Sequence, residues 1–262
     1  MLDGIVDLPL WVTGPLIVGG LSAYAIVGLW VVRRRVLPRL RVQTSDSEFT
    51  GAMVQAVMVF YGLALALIAV NVWQTHTDVA KTVSEEATAV AALYRDVSSY
   101  PEPVRSRLQG QLRSYMDYII REAWPLQRKG TVPSGGVELM DQFQTTLSAF
   151  EPGTEGQRIL HAEAMRAYNE MIQARRLRLD AVGTRLPGIL WFIIFAGALI
   201  GISSAFFFKI EDARVHGIQV VLLAAFIGMV IVMTLALDRP FRGDLGLGPE
   251  PYQLVYDHLM KP

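Results

Sequence analysis

The sequence predicts an all-α integral membrane protein, with four transmembrane helices and a helical-bundle insert between the second and the third. Three observations predict it. Hydrophobic residues make up 52% of the chain and charged residues only 18%, with a mean hydropathy of +0.34, which is too apolar for an ordinary soluble domain. Four stretches, residues 9–32, 51–74, 186–208 and 217–237, carry no charge at all. Each is long enough to cross the hydrocarbon core, which takes about 20 helical residues for roughly 30 Å. Finally, Trp11, Trp30, Trp73 and Trp191 sit near the ends of these stretches, where amphipathic indole rings settle at headgroup level.

Residues 1–74 read as a first transmembrane hairpin. Its leader carries Asp3 and Asp7 and no positive charge, and Arg33, Arg34 and Arg35 follow the apolar run. That order describes a retained helix rather than a cleaved signal peptide. The connection to the second span, residues 33–50, is short and basic, with Arg39 and Arg41 added. Beyond the second span, Val79, Val83, Val90, Leu93 and Val97 recur at helical spacing, which continues that helix past the membrane.

Residues 75–185 read as the extramembrane bundle. Pro101 and Pro103 stop the long helix and open a second, whose face is Val104, Leu108, Leu112, Tyr115 and Ile119. Residues 129–136 are glycine- and proline-rich and predict a loop, followed by a short helix over roughly 137–150. Glu151-Pro152-Gly153 predicts a turn. Ile159, Ala162, Met165, Tyr168, Ile172 and Leu179 then mark a last long helix running into the third span. Residues 186–240 form a second transmembrane hairpin, with its helices joined across residues 209–216, and residues 241–262 a C-terminal tail.

Several function classes are excluded or disfavoured. The 24 basic and 24 acidic residues cancel, so no global field points to nucleic acid. With no cysteine, there is no disulfide, thiolate metal site or cysteine nucleophile. His76, His161, His216 and His258 have no metal-ligand spacing, and read as surface or packing residues. No nucleophile elbow or phosphate-binding loop occurs; residues 243–248, with three glycines, read as turns. The chain is therefore not expected to be an enzyme, and no cofactor or metal is expected. Gly197 and Gly201, four apart in the third span, predict close helix packing.

Asn71, Thr75, Asp78, Thr82 and Glu85 recur at steps of four, three, four and three, and so share one face of the second helix. A polar stripe leaving a membrane span should face a bundle interior or water, and in a ring of subunits it could line a pore. The plainer reading is the solvated face of an ordinary helix. Asp238, Arg239 and Arg242, at the end of the fourth span, are candidates for a gate or for a simple boundary anchor. Arg175, Arg176 and Arg178 could pair with Glu85 and Glu86, bind lipid phosphates, or form a solvated collar.

Four segments carry a family resemblance. They are Ala69-Val70-Asn71-Val72-Trp73, Val83-Ser84-Glu85-Glu86-Ala87, Ala174-Arg175-Arg176-Leu177-Arg178-Leu179 ahead of Leu186-Pro187, and Leu237-Asp238-Arg239-Pro240-Phe241-Arg242-Gly243. Together, from about residue 49 to residue 252, they resemble the bestrophin-like family of bacterial membrane proteins. The resemblance implies the plan of bestrophins: two helices, a helical insert and two more helices, in a pentameric anion channel whose second span lines the pore. It also implies a cytosolic insert. The arginines after the first span imply the opposite, because positive flanks stay inside and would place residues 75–185 outside. Both topologies stand at this point.

The reading is thus a multi-pass protein of the cell membrane, bacterial inner membrane by resemblance. It forms a homo-oligomeric pore for small inorganic ions, with the lipid bilayer as its other partner. The alternative is a non-conducting, membrane-anchored helical module that binds a partner or senses its surroundings.

Overall fold

The computed structural model describes residues 8–39, 44–208, 210 and 212–261. Asp3, Asp7, Arg41 and Lys209 lie outside the described residues. In chain order the helices are α1 (Leu10–Val31), α2 (Thr44–Asp96), α3 (Val104–Tyr118), α4 (Trp124–Gln127), α5 (Gly135–Ser148), α6 (Glu155–Ala181), α7 (Gly188–Ala205), α8 (Ala213–Leu237) and α9 (Glu250–Val255). Wider π-helical turns follow α1 (Val32–Val36), α3 (Ile119–Ala123) and α9 (Tyr256–Met260). Among the described residues, four helices are long and apolar enough to cross a membrane: Leu10–Val36, Gly51–Ser99, Gly188–Ala205 and Ala213–Leu237.

The chain divides into two compact units. The first comprises Met1–Gln74 and Arg185–Asp238. Its core joins α1, α7 and α8 through Ala25, Leu29, Ile194, Ala198, Ala224 and Ile231. The apolar part of α2 packs on α7 where side chains are missing. The Tyr61 ring occupies the space a Cβ at Gly197 would take, and a Cβ at Gly201 would stand 2.6 Å from Met58 Sδ. Tyr61 also donates its hydroxyl to the Ile194 carbonyl at 2.9 Å. The two glycines therefore do what their spacing predicts: they let two apolar helices approach closely. α8 begins at an N-cap, with Asp212 Oδ1 accepting from the amides of Arg214 at 2.7 Å and Val215 at 3.4 Å.

The second unit comprises Thr75–Thr184 and Arg239–Pro262. Val79, Val83, Val90, Leu93 and Val97 are all buried, as are Leu108, Leu112, Tyr115 and Ile119, so both of these faces follow the predicted periodicity. α2 is a single helix from Thr44 to Asp96, and it stops ahead of Pro101 and Pro103.

Three local expectations change. The helix after the glycine-rich segment starts at Gly135, so both glycines are helical. Gly136 lies against Tyr118 and Arg175, each 3.2 Å from where its Cβ would be, and only glycine fits there without displacing them. The buried face of α6 is Ala164, Ala167, Tyr168, Met171 and Arg178, rotated from the expected one, and Ile159 is exposed. Small residues and a paired arginine fill that contact, so hydrophobicity alone misplaces it. Finally, α6 ends at Ala181 and α7 begins at Gly188, so the last bundle helix does not run into the third span. Pro187 has no amide to donate and holds the residue before it extended.

Residues 239–262 supply Phe241, Tyr252 and Met260 to the core of the second unit. Trp124 donates its indole N–H to the Leu247 carbonyl at 3.0 Å, and its ring lies 5.5 Å from both Phe241 and Tyr252. The segment expected as a tail is thus part of a packed unit. Gly243, at φ 75°, makes the turn that the glycine cluster predicts.

Candidate functional site

Asn71, Asp78 and Glu85 are exposed along α2, and Thr75 and Thr82 are half-buried. Thr82 donates its hydroxyl to the Asp78 carbonyl at 3.0 Å, turning its polarity back onto the helix. Glu85 lies 3.6 Å from Lys81, with both side chains more than half exposed. An exposed pair of this kind contributes at most about 0.5 kcal/mol, but it offsets the Glu85 charge. Asp78 is therefore the less compensated carboxylate of the two. Counting back from Asn71 by helical turns, the same face continues as Ala64, Phe60 and Val57, all exposed and apolar.

The gate candidates do separate jobs. Asp238, buried at 6% exposure, accepts the Leu186 amide at 2.6 Å within the first unit. It thereby ties the end of α8 to the chain entering α7. In the second unit, Arg242 lies beside the Gly130 turn, where a Cβ would stand 3.4 Å from its Nη1. Arg239 is half-buried.

The most ordered polar cluster centres on Glu86, which is fully buried. Arg178, 1% exposed, donates from Nε to Glu86 Oε2 at 2.5 Å and from Nη2 to Oε1 at 3.1 Å. Tyr115 donates to Oε1 at 2.7 Å, and Tyr252 to Oε2 at 3.0 Å. The guanidinium also lies over the Trp124 and Tyr252 rings, at 5.9 and 5.7 Å. Burial desolvates Arg178 and opposes its charge, but Glu86 beside it holds its pKa above the ordinary value. Burial, then the Glu86 charge, pushes the Tyr115 and Tyr252 hydroxyls well above the usual tyrosine range. This cluster joins α2, α3, α6 and α9 and is a structural clamp, in which each Glu86 oxygen accepts two hydrogen bonds and only Arg178 Nη1 is left without one.

Spacing alone did not single out Glu86 and Arg178, yet a signal was present. Glu86 falls in register with Val79, Val83 and Val90, and Arg178 with Ala164, Tyr168 and Met171. A charge on the apolar face of each of two helices is the mark of a buried pair. Arg175 and Arg176, by contrast, are half-buried and exposed. The histidines pack: His161 meets the Tyr100 hydroxyl at 2.7 Å, His216 the Ala205 carbonyl at 3.0 Å, and His76 the Leu245 carbonyl at 3.1 Å. Among the described residues, no group of histidines and carboxylates could hold a metal ion.

Among the described residues the regular structure is all helical, and four helices are long and apolar enough to span a bilayer, which defines the class, a helical membrane-type protein. The chain matches the Bestrophin-like domain over residues 19–252, and it belongs to that family. Among solved structures, it is similar to point variants of a bacterial Bestrophin homolog from Klebsiella pneumoniae. One is 10% identical with a TM-score of 0.72, over 94% of this chain and 98% of that one. Another is 11% identical with a TM-score of 0.69, over 94% and 97%. A crystal structure of a membrane protein variant is similar too, at 9% identity and a TM-score of 0.71, over 94% of this chain and 98% of that one. At these identities the likeness shows the fold alone. No curated protein matches the sequence.

Proposed function

We propose that the chain is one subunit of a homo-oligomeric pore that conducts small ions across a bacterial inner membrane. The four apolar helices span the bilayer, residues 1–74 and 186–240 forming the hairpins. Residues 75–185 and 241–262 stand outside it. The observation that carries this reading is the poor coverage of α2. Only 11% of its apolar stretch is buried within the chain, the lowest share of the four spans, against 17% for α1, 33% for α7 and 44% for α8. Val57, Phe60, Leu63, Leu67, Val70 and Trp73 are each at least 47% exposed. Four helices of one chain do not enclose a hydrated path, so a pore needs several copies, and α2 is the helix left free to face them. Membership of the Bestrophin-like family supports the same plan.

On this reading the path is apolar beside Phe60 and Val57 and polar from Asn71 onward. An apolar constriction conducts only while it stays wet, so its width gates the ion flow. Asp78 sets a negative charge at the mouth, which raises the local concentration of cations.

The test is purified protein in planar bilayers, with its mass measured in mild detergent and in nanodiscs. We expect an oligomer that conducts. Asp78→Asn should lower cation over anion permeability at low salt by up to roughly five-fold, the scale of one unit charge at close range in water. Asp78→Lys should push further the same way, and Lys81→Gln should do much less. A monomer in every environment would remove the pore reading and leave the non-conducting helical module.

A further inference from the structure

We propose that a groove between α1 and α8 binds one anionic phospholipid, with the phosphate on Arg33, Arg34 and Arg214 and an acyl chain along the groove floor. The inference rests on the membrane reading above. The groove encloses about 610 Å³. Its walls are Ile26, Leu29 and Trp30 on one side and Gly217, Ile218 and Leu222 on the other.

The three arginines also line it, and they gather at one end. Arg33 donates from Nη2 to the Ile210 carbonyl at 3.0 Å, which brings the end of α1 beside the chain entering α8. From there the two helices run in opposite directions. Ile26 to Arg34 and Leu222 to Arg214 are each about 12 Å at helical rise, so the two walls have matching depth. The Arg34 guanidinium lies 5.0 Å over the Trp30 ring, which holds the cation at the groove mouth.

Among the described residues that line the groove there is no carboxylate. The neighbouring Asp212 directs its Oδ1 to the amides of Arg214 and Val215; Glu211 lies outside the described residues. Guanidinium forks match phosphate oxygens in pairs. Ile26, Trp30, Ile218 and Leu222 are each 52–64% exposed, and hydrocarbon is what such a wall accepts. A free phosphate would leave that wall uncovered. A phosphatidylcholine would bring its own ammonium to the arginines. An anionic phospholipid satisfies both ends of the groove.

The test is native mass spectrometry of the full-length protein in neutral detergent, with phosphatidylglycerol, phosphatidylcholine or glycerol phosphate added. The expected result is one phosphatidylglycerol retained per chain, in preference to phosphatidylcholine by roughly ten-fold or more. Arg34→Gln with Arg214→Gln should erase that preference while leaving the Arg33 contact to Ile210 in place. Gly217→Leu should lower retention of both lipids, because a Cβ there meets no protein atom and the larger side chain fills the groove instead. Unchanged retention in the double arginine variant overturns the proposal. So does glycerol phosphate binding as tightly as the lipid, or cross-linking of Ile218→Cys between copies, which would show a second chain covering the groove. Silent bilayers with lipid retention intact would count against the pore alone. Normal conductance without the lipid preference would count against this site alone.

Discussion

Arg178 and Glu86 bring an ion pair into an apolar core, where each charge costs several kcal/mol to desolvate. The geometry offsets that cost: both carboxylate oxygens of Glu86 accept from Arg178, and Tyr115 and Tyr252 add a donor to each. Removing one partner strands the other. Arg178→Met should therefore destabilise the second unit by about 3–5 kcal/mol, and Glu86→Leu added to it should restore much of the loss. Thermal unfolding in detergent measures both. The tyrosines add a pH signature. Their folded pKa values are raised above the unfolded value near 10, so their contribution is complete below about pH 10 and falls as pH rises beyond it. Melting temperature should drop on the alkaline side of pH 10, and Tyr115→Phe should make that drop shallower at the cost of one hydrogen bond at lower pH.

At the scale of elements, α7 shows how an apolar helix acquires a specific neighbour. Lipid tails are as apolar as leucine, so α2 and α7 gain little from burial against each other and rely on fit. The fit is Tyr61 over Gly197 and Met58 over Gly201, with the Tyr61 hydroxyl bonded to Ile194. Gly197→Leu should force the tyrosine ring out and cost about 1–3 kcal/mol as overpacking, seen as a lower melting temperature and a smaller yield of intact assembly. Gly20→Leu on α1, where a Cβ meets no atom within 4 Å, should leave the melting temperature of the isolated chain unchanged. The break between α6 and α7 belongs to this scale too. Apolar and helical spacing runs through residues 159–208 with little interruption, but Pro187 divides it into two helices, each free to take its own direction.

For the whole molecule, the open question of sidedness becomes a labelling experiment on a chain without cysteine. Flanking arginines and lysines count equally on the two faces, seven against seven, so the first helix decides the charge-based reading. Its acidic leader and the arginines that follow it place Thr131, in the turn between α4 and α5, outside the cytoplasm. Thr131→Cys should then react with an impermeant thiol reagent on intact cells. Reaction only after lysis would give the bestrophin topology instead and would put the exposed Asp78 on the cytoplasmic side. Under the first outcome the arginine end of the α1–α8 groove meets the cytoplasmic leaflet, where anionic lipids concentrate.

Length, charge and period were enough to read from the sequence the four apolar helices, the single long α2, the buried faces of α2 and α3 and the close approach at Gly197. Each is a local property: hydrocarbon thickness sets helix length, 3.6 residues per turn sets the face, and a missing side chain marks a contact. The family was legible as well, because the residues that carry it stand in short contiguous motifs. Other features depended on partners distant in sequence. Pairing of Arg178 with Glu86 was one of three readings open to the basic cluster, and it is decided only where α2, α3, α6 and α9 meet, since nothing in a local window supplies the two tyrosines that complete the site. The C-terminal residues read as a tail until Phe241 and Tyr252 enclose Trp124. The rotation of α6 likewise belongs to the tertiary structure. A side chain's charge can be known from the sequence, but whether it is solvated, paired or stranded is decided only by what folds against it.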